Sequence, residues 1–325
     1  QLTFRSLCPE DLEQVSAIDS HIVGKPRRGF FEKRLTVAMA APEAFITCAA
    51  CADGKLKGYA FSRVQDGDFG SAQTVAVLDI LGGVAPDAQG QGIGKALLSG
   101  IEQRMAKKNI VTLRSEIDWA DHAMTGFFSV TGFRLAAIQI VARDTSALPE
   151  RVEEISAVKM DSQWQVHGPG GNDYDTLCRD QVLIRSLKEE DLADIVHLDR
   201  KLSGRDRSVY YRSKFQEMLL ESGIRVSLVA EKKGLVAGFI MARVDYGEFG
   251  KLSQTAVIDT IGVHPVEKGT GVGRALLAQL LVNLSILQVE SLHTQIRWSQ
   301  VDLHSFLQRC GFAPSQRLVL TKQID

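Results

Sequence analysis

The strongest constraint on how this chain can fold is that it repeats itself. A glycine-dense loop opening straight into an apolar helix occurs twice, as AQGQGIGKALL from Ala88 to Leu98 and as EKGTGVGRALL from Glu267 to Leu277. The likeness runs well beyond the loop and stays collinear. RSL at Arg5 to Leu7 recurs at Arg185 to Leu187, each followed by EDL, and IDSHIVGKPR (Ile18 to Arg27) answers to LDRKLSGRDR (Leu198 to Arg207). FFEKRL is matched by YYRSKF, and RVQDGDFG (Arg63 to Gly70) by RVDYGEFG (Arg243 to Gly250). Trp119 with the following GFF and TGF has its counterpart in Trp298 with SFL and CGF. Agreement in this order implies a duplicated structural unit. A length of 325 residues suits two cores, since domains run about 100 to 200 residues. The expected organisation is an N-terminal domain at 1–143, a linker at 144–180 that holds the turn-rich HGPGGNDYD, and a C-terminal domain at 181–325.

Each copy reads alike in periodicity and punctuation. A short strand at Leu2 to Leu7 leads to a helix from about Glu10 to Asp19 and another around Gly29 to Ala40. Two strands joined by DGK at Asp53 to Lys55 follow, then the long strand TVAVLDILGGV, the glycine loop, and a helix ending near Asn109. The strand TLRSEI, a short helix near His122 to Val130 and a strand near RLAAIQIVA complete the unit. The expected class is α+β, a mixed and largely antiparallel sheet with flanking helices.

Composition excludes several classes of function. Lys plus Arg (38) nearly balances Asp plus Glu (39), so no global field argues for nucleic acid or an anionic membrane. No apolar run reaches the roughly 18 to 20 residues of a membrane span. The opening QLTFRSLCPEDLEQ has neither a basic head nor an apolar signal core. A cytoplasmic protein is expected. The five scattered cysteines, Cys8, Cys48, Cys51, Cys178 and Cys310, fit reduced thiols. Cys48 and Cys51 sit three apart in a strand-like segment and should face opposite sides, so no metal site is expected from them.

A glycine-rich turn entering a helix presents backbone N–H groups at the positive end of the helix dipole, which makes an anion site. Glycines at 90, 92 and 94 remove Cβ atoms that would obstruct a pyrophosphate. A Rossmann fingerprint would need an acidic residue about 20 positions on, and a P-loop would need Gly-Lys-Ser/Thr. Neither pattern is present. VAPDAQGQGIGKALL and VHPVEKGTGVGRALL instead resemble the acyl-CoA signature of the GNAT superfamily of N-acetyltransferases, Gln/Arg-x-x-Gly-x-Gly/Ala. The resemblance covers both halves and implies two tandem GNAT domains that use acetyl-CoA. It assigns the pyrophosphate to Gln89, Gly90, Gln91, Gly92, Ile93 and Gly94 in one copy, and to Lys268, Gly269, Thr270, Gly271, Val272 and Gly273 in the other. Lys268 departs from the Gln/Arg position but stays cationic. The resemblance also implies that the preceding strand, ending at Val84 and at Val263, splays from its neighbour and holds pantetheine along its free backbone.

Acyl transfer to an amine needs the neutral nucleophile, about one part in a thousand of an amine of pKa about 10 at pH 7. A base in reach helps by about 10² to 10⁴. Asp79 and Asp259 interrupt the apolar strands VAVLDIL and TAVIDTI, where a carboxylate is costly unless it is paired or faces a polar cleft. The position matches the acidic residue of many GNAT enzymes. A base and a structural acceptor are both open readings. One more residue separates Asp79 from Pro86 than Asp259 from Pro265, near Gly82 and Gly83. The pleat therefore fixes Asp259 more simply, and chemistry is expected in the C-terminal domain. The family's usual tyrosine acid is replaced by Phe128 and Leu307, which leaves the acid unassigned. Asp68 and Glu248 mark either a solvated turn or contact with a cationic acceptor. Asp19 and Asp199, with Arg27 and Arg207, read equally as ion pairs or substrate contacts, and Trp119 and Trp298 as packing. The expected activity is transfer of acetyl from acetyl-CoA to a primary amine, small-molecule or peptide. The expected carrier is a monomer with two pseudo-symmetric domains. The alternative is a degenerate pair that holds CoA or a protein partner without turnover.

Overall fold

The computed structural model describes residues 2–68, 71–82, 90–145, 182–220, 226–245 and 255–324, so the expected linker lies almost wholly outside the described residues. The chain forms two compact units. The first comprises Gln1–Ile140 and takes in Ser315–Asp325; the second comprises Val141–Asp245 and Ser253–Pro314.

In the first unit β1 (Thr3–Arg5), α1 (Leu12–Val23) and α2 (Arg28–Ala40) precede β2 (Phe45–Ala52), β3 (Lys55–Asp68) and β4 (Ser71–Gly82). Then come α3 (Ile93–Lys107), β5 (Thr112–Asp118), α4 (His122–Val130) and β6 (Arg134–Asp144). The second unit repeats the plan as β7 (Leu183–Ser186), α5 (Leu192–Ser203), α6 (Ser208–Leu220), β8 (Leu228–Lys232), β9 (Leu235–Asp245) and β10 (Thr255–Val263). It continues through α7 (Val272–Ile286), β11 (Ser291–Arg297), α8 (Val301–Arg309) and β12 (Ala313–Gln323). The β2–β3 hairpin turns on Asp53 and Gly54 at φ 50° and 73°, and β8–β9 on Lys233 and Gly234 at φ 53° and 76°. Two consecutive positive φ values are what a two-residue hairpin needs to match strand twist.

The α+β class is the one the sequence implies. Strands β1 to β4 pair antiparallel in sequence order, and β4 pairs parallel to β5. Strands β7 to β10 and β11 follow the same rule. In the first unit α1 and α2 bury Val15, Ile18, Phe31 and Leu35 against one face with Tyr59, Phe61 and Ile80. α3 and α4 bury Ile93, Leu97, Ile101 and Phe128 against the other with Ile46, Ala60 and Leu78. Cys48 joins the second cluster and Cys51 the first, so they face opposite sides as strand alternation requires.

The units are not simple halves of the chain. Beyond β5, the first unit's sheet is completed by β12, antiparallel from Arg317↔Asp118 to Gln323↔Thr112. The end of β6 belongs to the second unit, where the Thr145 N–H donates to the Glu290 carbonyl at 3.0 Å and Arg143 donates to the Cys310 carbonyl. A cut after residue 143 leaves 315–325 with the C-terminal domain; contacts put them with the first unit. A strand's alternation specifies which face is buried but not which edge it joins, and duplicated sheets offer like edges.

Candidate active site

Both copies break their central strand at the same residue. Phe61 pairs with Ile80 and Ser62 with Leu78, so Asp79 is the extra residue of a bulge. Met241 pairs with Thr260 and Ala242 with Ile258, so Asp259 is the extra residue of its counterpart. A bulge kinks the strand and re-aims a side chain. The parallel pairing with the next strand ends just before each bulge, at Leu78↔Ser115 in one unit and one residue earlier, at Val257↔His293, in the other, although β4 and β10 run on. One buried hydroxyl closes each junction. Ser115 Oγ donates to the Leu78 carbonyl at 3.2 Å, and Thr294 Oγ1 to the Ile258 carbonyl at 2.8 Å. Past that point each strand has a stretch of backbone without a β5 or β11 partner, which is the splay that the family resemblance implies.

The sequence suggested that Asp259 lies on an unbroken pleat and that Asp79 is displaced by an extra residue. The structure corrects this, since both carboxylates sit on equivalent bulges. The extra residue of the first half falls at the end of β4, where residues 83–89 are outside the described set.

Each carboxylate is already engaged. Asp79 is 2% exposed. Arg63 holds it by Nε to Oδ2 at 2.5 Å and Nη2 to Oδ1 at 3.1 Å, and Arg34 Nη1 approaches Oδ2 at 3.3 Å. Asp259 is paired with Arg243, and Lys214 Nζ lies 3.9 Å from Oδ1. The Tyr210 hydroxyl donates to the Asp259 carbonyl at 3.4 Å. A strand arginine and a cation on the second helix therefore meet the carboxylate in both copies, as a buried charge requires. Sequence reasoning passed over these cations. The signal was present, because Arg63 and Arg243 begin the matched RV segments, and Arg34 and Lys214 occupy one position of FFEKRL and YYRSKF.

The glycine loops divide into two kinds of glycine. Gly90 and Gly92 have φ 75° and 77°, Gly269 and Gly271 φ 86° and 93°, and a Cβ on any of them would meet no heavy atom of the described residues within 4 Å. These positions need glycine for the left-handed backbone and leave open space outside it. Gly94 and Gly273 are different. A Cβ there would lie 3.4 Å from the ring of Phe127 or of Phe306, so these glycines face α4 and α8 rather than open space. Gly92 and Gly271 are the N-caps of α3 and α7, and neither helix has a side-chain cap or an acidic residue in its first turn. Lys95 and Arg274 stand in those first turns instead. A cation at the positive end of a helix dipole is unfavourable until an anion joins it, so the residues present fit a phosphate.

The remaining loop residues are distributed unevenly. Ile93 and Val272 are buried at 2% and 1%, so only their backbone faces the loop. Gln91 is exposed. The Thr270 hydroxyl donates to the Glu267 carbonyl at 2.8 Å, and Lys268 Nζ lies 3.1 Å from Asp302 Oδ2. Val263 closes β10 opposite Gly238. Val84, Gln89 and Glu248 lie outside the described residues, as does the side chain of Asp68.

Phe128 and Leu307, at the family's tyrosine position, are fully buried. Asp19 binds Arg27 through both oxygens, and Asp199 binds Arg207, each pair nearly inaccessible. These are internal ion pairs. Trp119 and Trp298 are 55% and 56% exposed, so neither is a core residue, because each stands one residue past its strand where the pleat no longer turns it inward; Trp298 instead stacks on His304 of α8 at 5.8 Å, which is packing at the helix entry. Among the described residues no group of His, Cys, Asp and Glu could hold a metal, and no helix is long and apolar enough to cross a membrane.

Comparison with known proteins agrees with this geometry. The model of the acetyltransferase (GNAT) family matches residues 13–133 and again 192–312. No curated protein sequence matches the chain. Among solved structures, a tandem GNAT protein from the clavulanic acid biosynthesis pathway superposes with TM-score 0.63 at 16% identity, covering 100% of this chain and 99% of its own. A GCN5-related glucosamine N-acetyltransferase region of a fungal multi-domain GH3 beta-N-acetylglucosaminidase gives TM-score 0.63 at 14% identity over 99% of this chain, which spans only 38% of that protein. A GCN5-related N-acetyltransferase from Sphaerobacter thermophilus gives 0.57 at 16% identity, covering 99% and 96%. At these identities the likeness is one of fold. With the family model matching most of each repeat, bulge, splay and glycine loop included in its bounds, the chain belongs to the GNAT acetyltransferase family and carries the domain twice.

Proposed function

We propose that this chain transfers acetyl from acetyl-CoA to a primary amine, with the chemistry in the second unit and the first holding CoA without turnover. When bound, acetyl-CoA supplies a thioester carbonyl for the amine to attack and a thiolate to leave. Gly90 to Gly92 and Gly269 to Gly271, with the N–H groups that open α3 and α7, would hold the pyrophosphate, helped by Lys95 and Arg274. The backbone of β10 from the bulge to Val263 would receive the pantetheine.

The observation that favours the second unit is what surrounds each bulge. Asp79 is met by two guanidiniums, which do not exchange protons near neutral pH, and the residue matching Tyr210 is Phe30. At Asp259 a lysine stands 3.9 Å from the carboxylate and a tyrosine hydroxyl donates to the main-chain carbonyl of the same residue, both groups of a kind that can pass a proton. Asp259 accepting the amine proton, directly or through Lys214, is consistent with that set.

The test is Lys214→Arg, which recreates the first unit's arrangement in the second. Steady-state acetylation over a panel of amines should fall by about 10², with acetyl-CoA affinity measured by calorimetry little changed. Full activity in that variant would sink the assignment to the second unit.

A further inference from the structure

The first unit carries a groove of about 850 Å³ that none of the loop glycines lines. Its apolar wall includes Phe4, Met39, Pro42 and Phe45, and Arg104, Lys107 and Lys108 from α3 stand along it. Phe4 and Met39 are 41% and 42% exposed, so the wall is wetted apolar surface. Lys108 has a carboxylate partner, Glu43 at 2.7 Å. Arg104 has none among the described residues. It is half-buried, and its Nη1 donates to the Gly100 carbonyl at 2.8 Å and contacts Cys48 Sγ at 3.5 Å. Burial pushes the Cys48 thiol up, so it stays protonated and brings no countercharge. Lys107 is exposed and likewise has no carboxylate partner among the described residues.

Cations near a helix C-terminus can serve the dipole alone. The duplicate helix argues against that reading. α7 keeps the same length and end with no basic residue in its last turn, and carries Gln279, Asn283, Ile286 and Leu287 where α3 has Gly100, Arg104, Lys107 and Lys108. Gly100 also matters sterically, since a Cβ there would come within 2.6 Å of Cys48 Sγ. The fold needs neither the cations nor the glycine at these positions in the second unit.

We propose that this groove binds an amphiphilic anion, an apolar chain or ring bearing one carboxylate, with Arg104 and Lys107 at the head group and the Phe4 to Phe45 wall along the body. An apolar pocket with a few convergent polar groups is the ordinary form of a small-ligand site, and a guanidinium fork fits a carboxylate by two parallel hydrogen bonds. The second unit lacks the cations, so one site per chain is expected.

The probe is decanoate below its micelle concentration, titrated into the full chain by calorimetry beside decanol, acetate and decyl phosphate. Decanoate should bind one equivalent, decanol about tenfold more weakly or worse, and acetate not measurably. Arg104→Met should weaken decanoate about tenfold and Lys107→Met by less, with acetyl-CoA binding unchanged in both. If Arg104→Met does not fold, the exposed Lys107→Met and the decanol comparison still decide the matter. Equal affinity for decanol and decanoate would reduce the groove to an apolar surface. Tighter binding of decyl phosphate would overturn the carboxylate, and displacement by acetyl-CoA would put the ligand in the acyl site instead.

Discussion

The two bulges carry the same carboxylate in the same backbone and differ in the groups that surround it. Around Asp79 stand Arg34 and Arg63; around Asp259 stand Lys214, Arg243 and the Tyr210 hydroxyl. In charge type the two sets are alike, because each brings two cations to one carboxylate. Chemically they are not, since only the second contains cations and hydroxyls that can give up a proton. Duplication has thus preserved what the fold requires of a buried aspartate and varied what catalysis would require of its neighbours.

The largest effect should come from the loops. Gly92→Val and Gly271→Val force a branched residue into φ 77° and φ 93° and fill the space the backbone leaves open. Each should weaken acetyl-CoA binding in its own unit by about 10² or more, the size expected when several charge-assisted contacts are lost together. If the parent takes two equivalents by calorimetry, each variant should take one. Retention of both equivalents in both variants would remove the phosphate role of the loops, and one equivalent in the parent would show that the units differ already in binding.

Next come the carboxylates. Asp259→Asn should lower turnover by about 10², whereas Asp79→Asn should leave turnover nearly unchanged. Both should cost about 3 kcal/mol of stability in their own unit, because each strands an arginine that loses its countercharge. Activity and urea unfolding measured on the same preparations separate the two effects. Loss of turnover only in the Asp79 variant would exchange the roles of the units.

A smaller effect tests whether the halves conserve interactions rather than residues. In the first unit the hydroxyl that joins the Asp19–Arg27 pair belongs to Tyr59 on β3, with Phe31 of α2 edge-on at 5.6 Å. In the second it belongs to Tyr211 of α6, 2.9 Å from Asp199, with Phe239 of β9 edge-on at 5.8 Å. The phenol has changed sides and the contact has stayed. Tyr59→Phe should cost about 2 kcal/mol, as for a hydrogen bond to a charged group, and adding Phe31→Tyr should recover most of it. A double variant no more stable than Tyr59→Phe alone would show that the two arrangements are not interchangeable.

Much of this was legible from residues alone. The duplication, the α+β plan, both hairpins and both loops are local or periodic features, and a carboxylate in an apolar strand advertises itself. Three things were not. The bulges insert a residue without any residue type that marks it, so the equivalence of Asp79 and Asp259 emerged only from the pairing register. The place of β12 beside β5 depends on which edge a strand joins, a choice that its alternation does not encode. The glycines of a motif look identical in sequence, yet Gly90 and Gly92 answer to backbone angle while Gly94 has an ordinary φ and faces the Phe127 ring.

The smallest expected effect separates the units by acid. Arg5 grips Asp11 at 2.6 Å and Arg185 grips Asp191 at 2.7 Å. Burial acts to raise both carboxyls, but the arginine and backbone hydrogen bonds outweigh it and hold both below the ordinary carboxylate value. A folded value below the unfolded one, about 3.9, means that this stability is complete above about pH 5 and fades as pH falls through the folded value. The pairs differ in one respect: Arg185 also binds Glu231 at 3.0 Å, so replacing Asp191 at neutral pH leaves its arginine with a second carboxylate. Arg5 is 45% exposed on its side chain, and screening limits either pair to about 0.5 to 1 kcal/mol. Urea unfolding of the parent between pH 6 and pH 3 should therefore lose more stability than Asp11→Asn or Asp191→Asn does over the same range, and at pH 6 Asp191→Asn should cost less than Asp11→Asn. Equal costs at pH 6 would mean that Glu231 does not take over Arg185, and an unchanged pH dependence in both variants would mean that solvent screens both pairs completely.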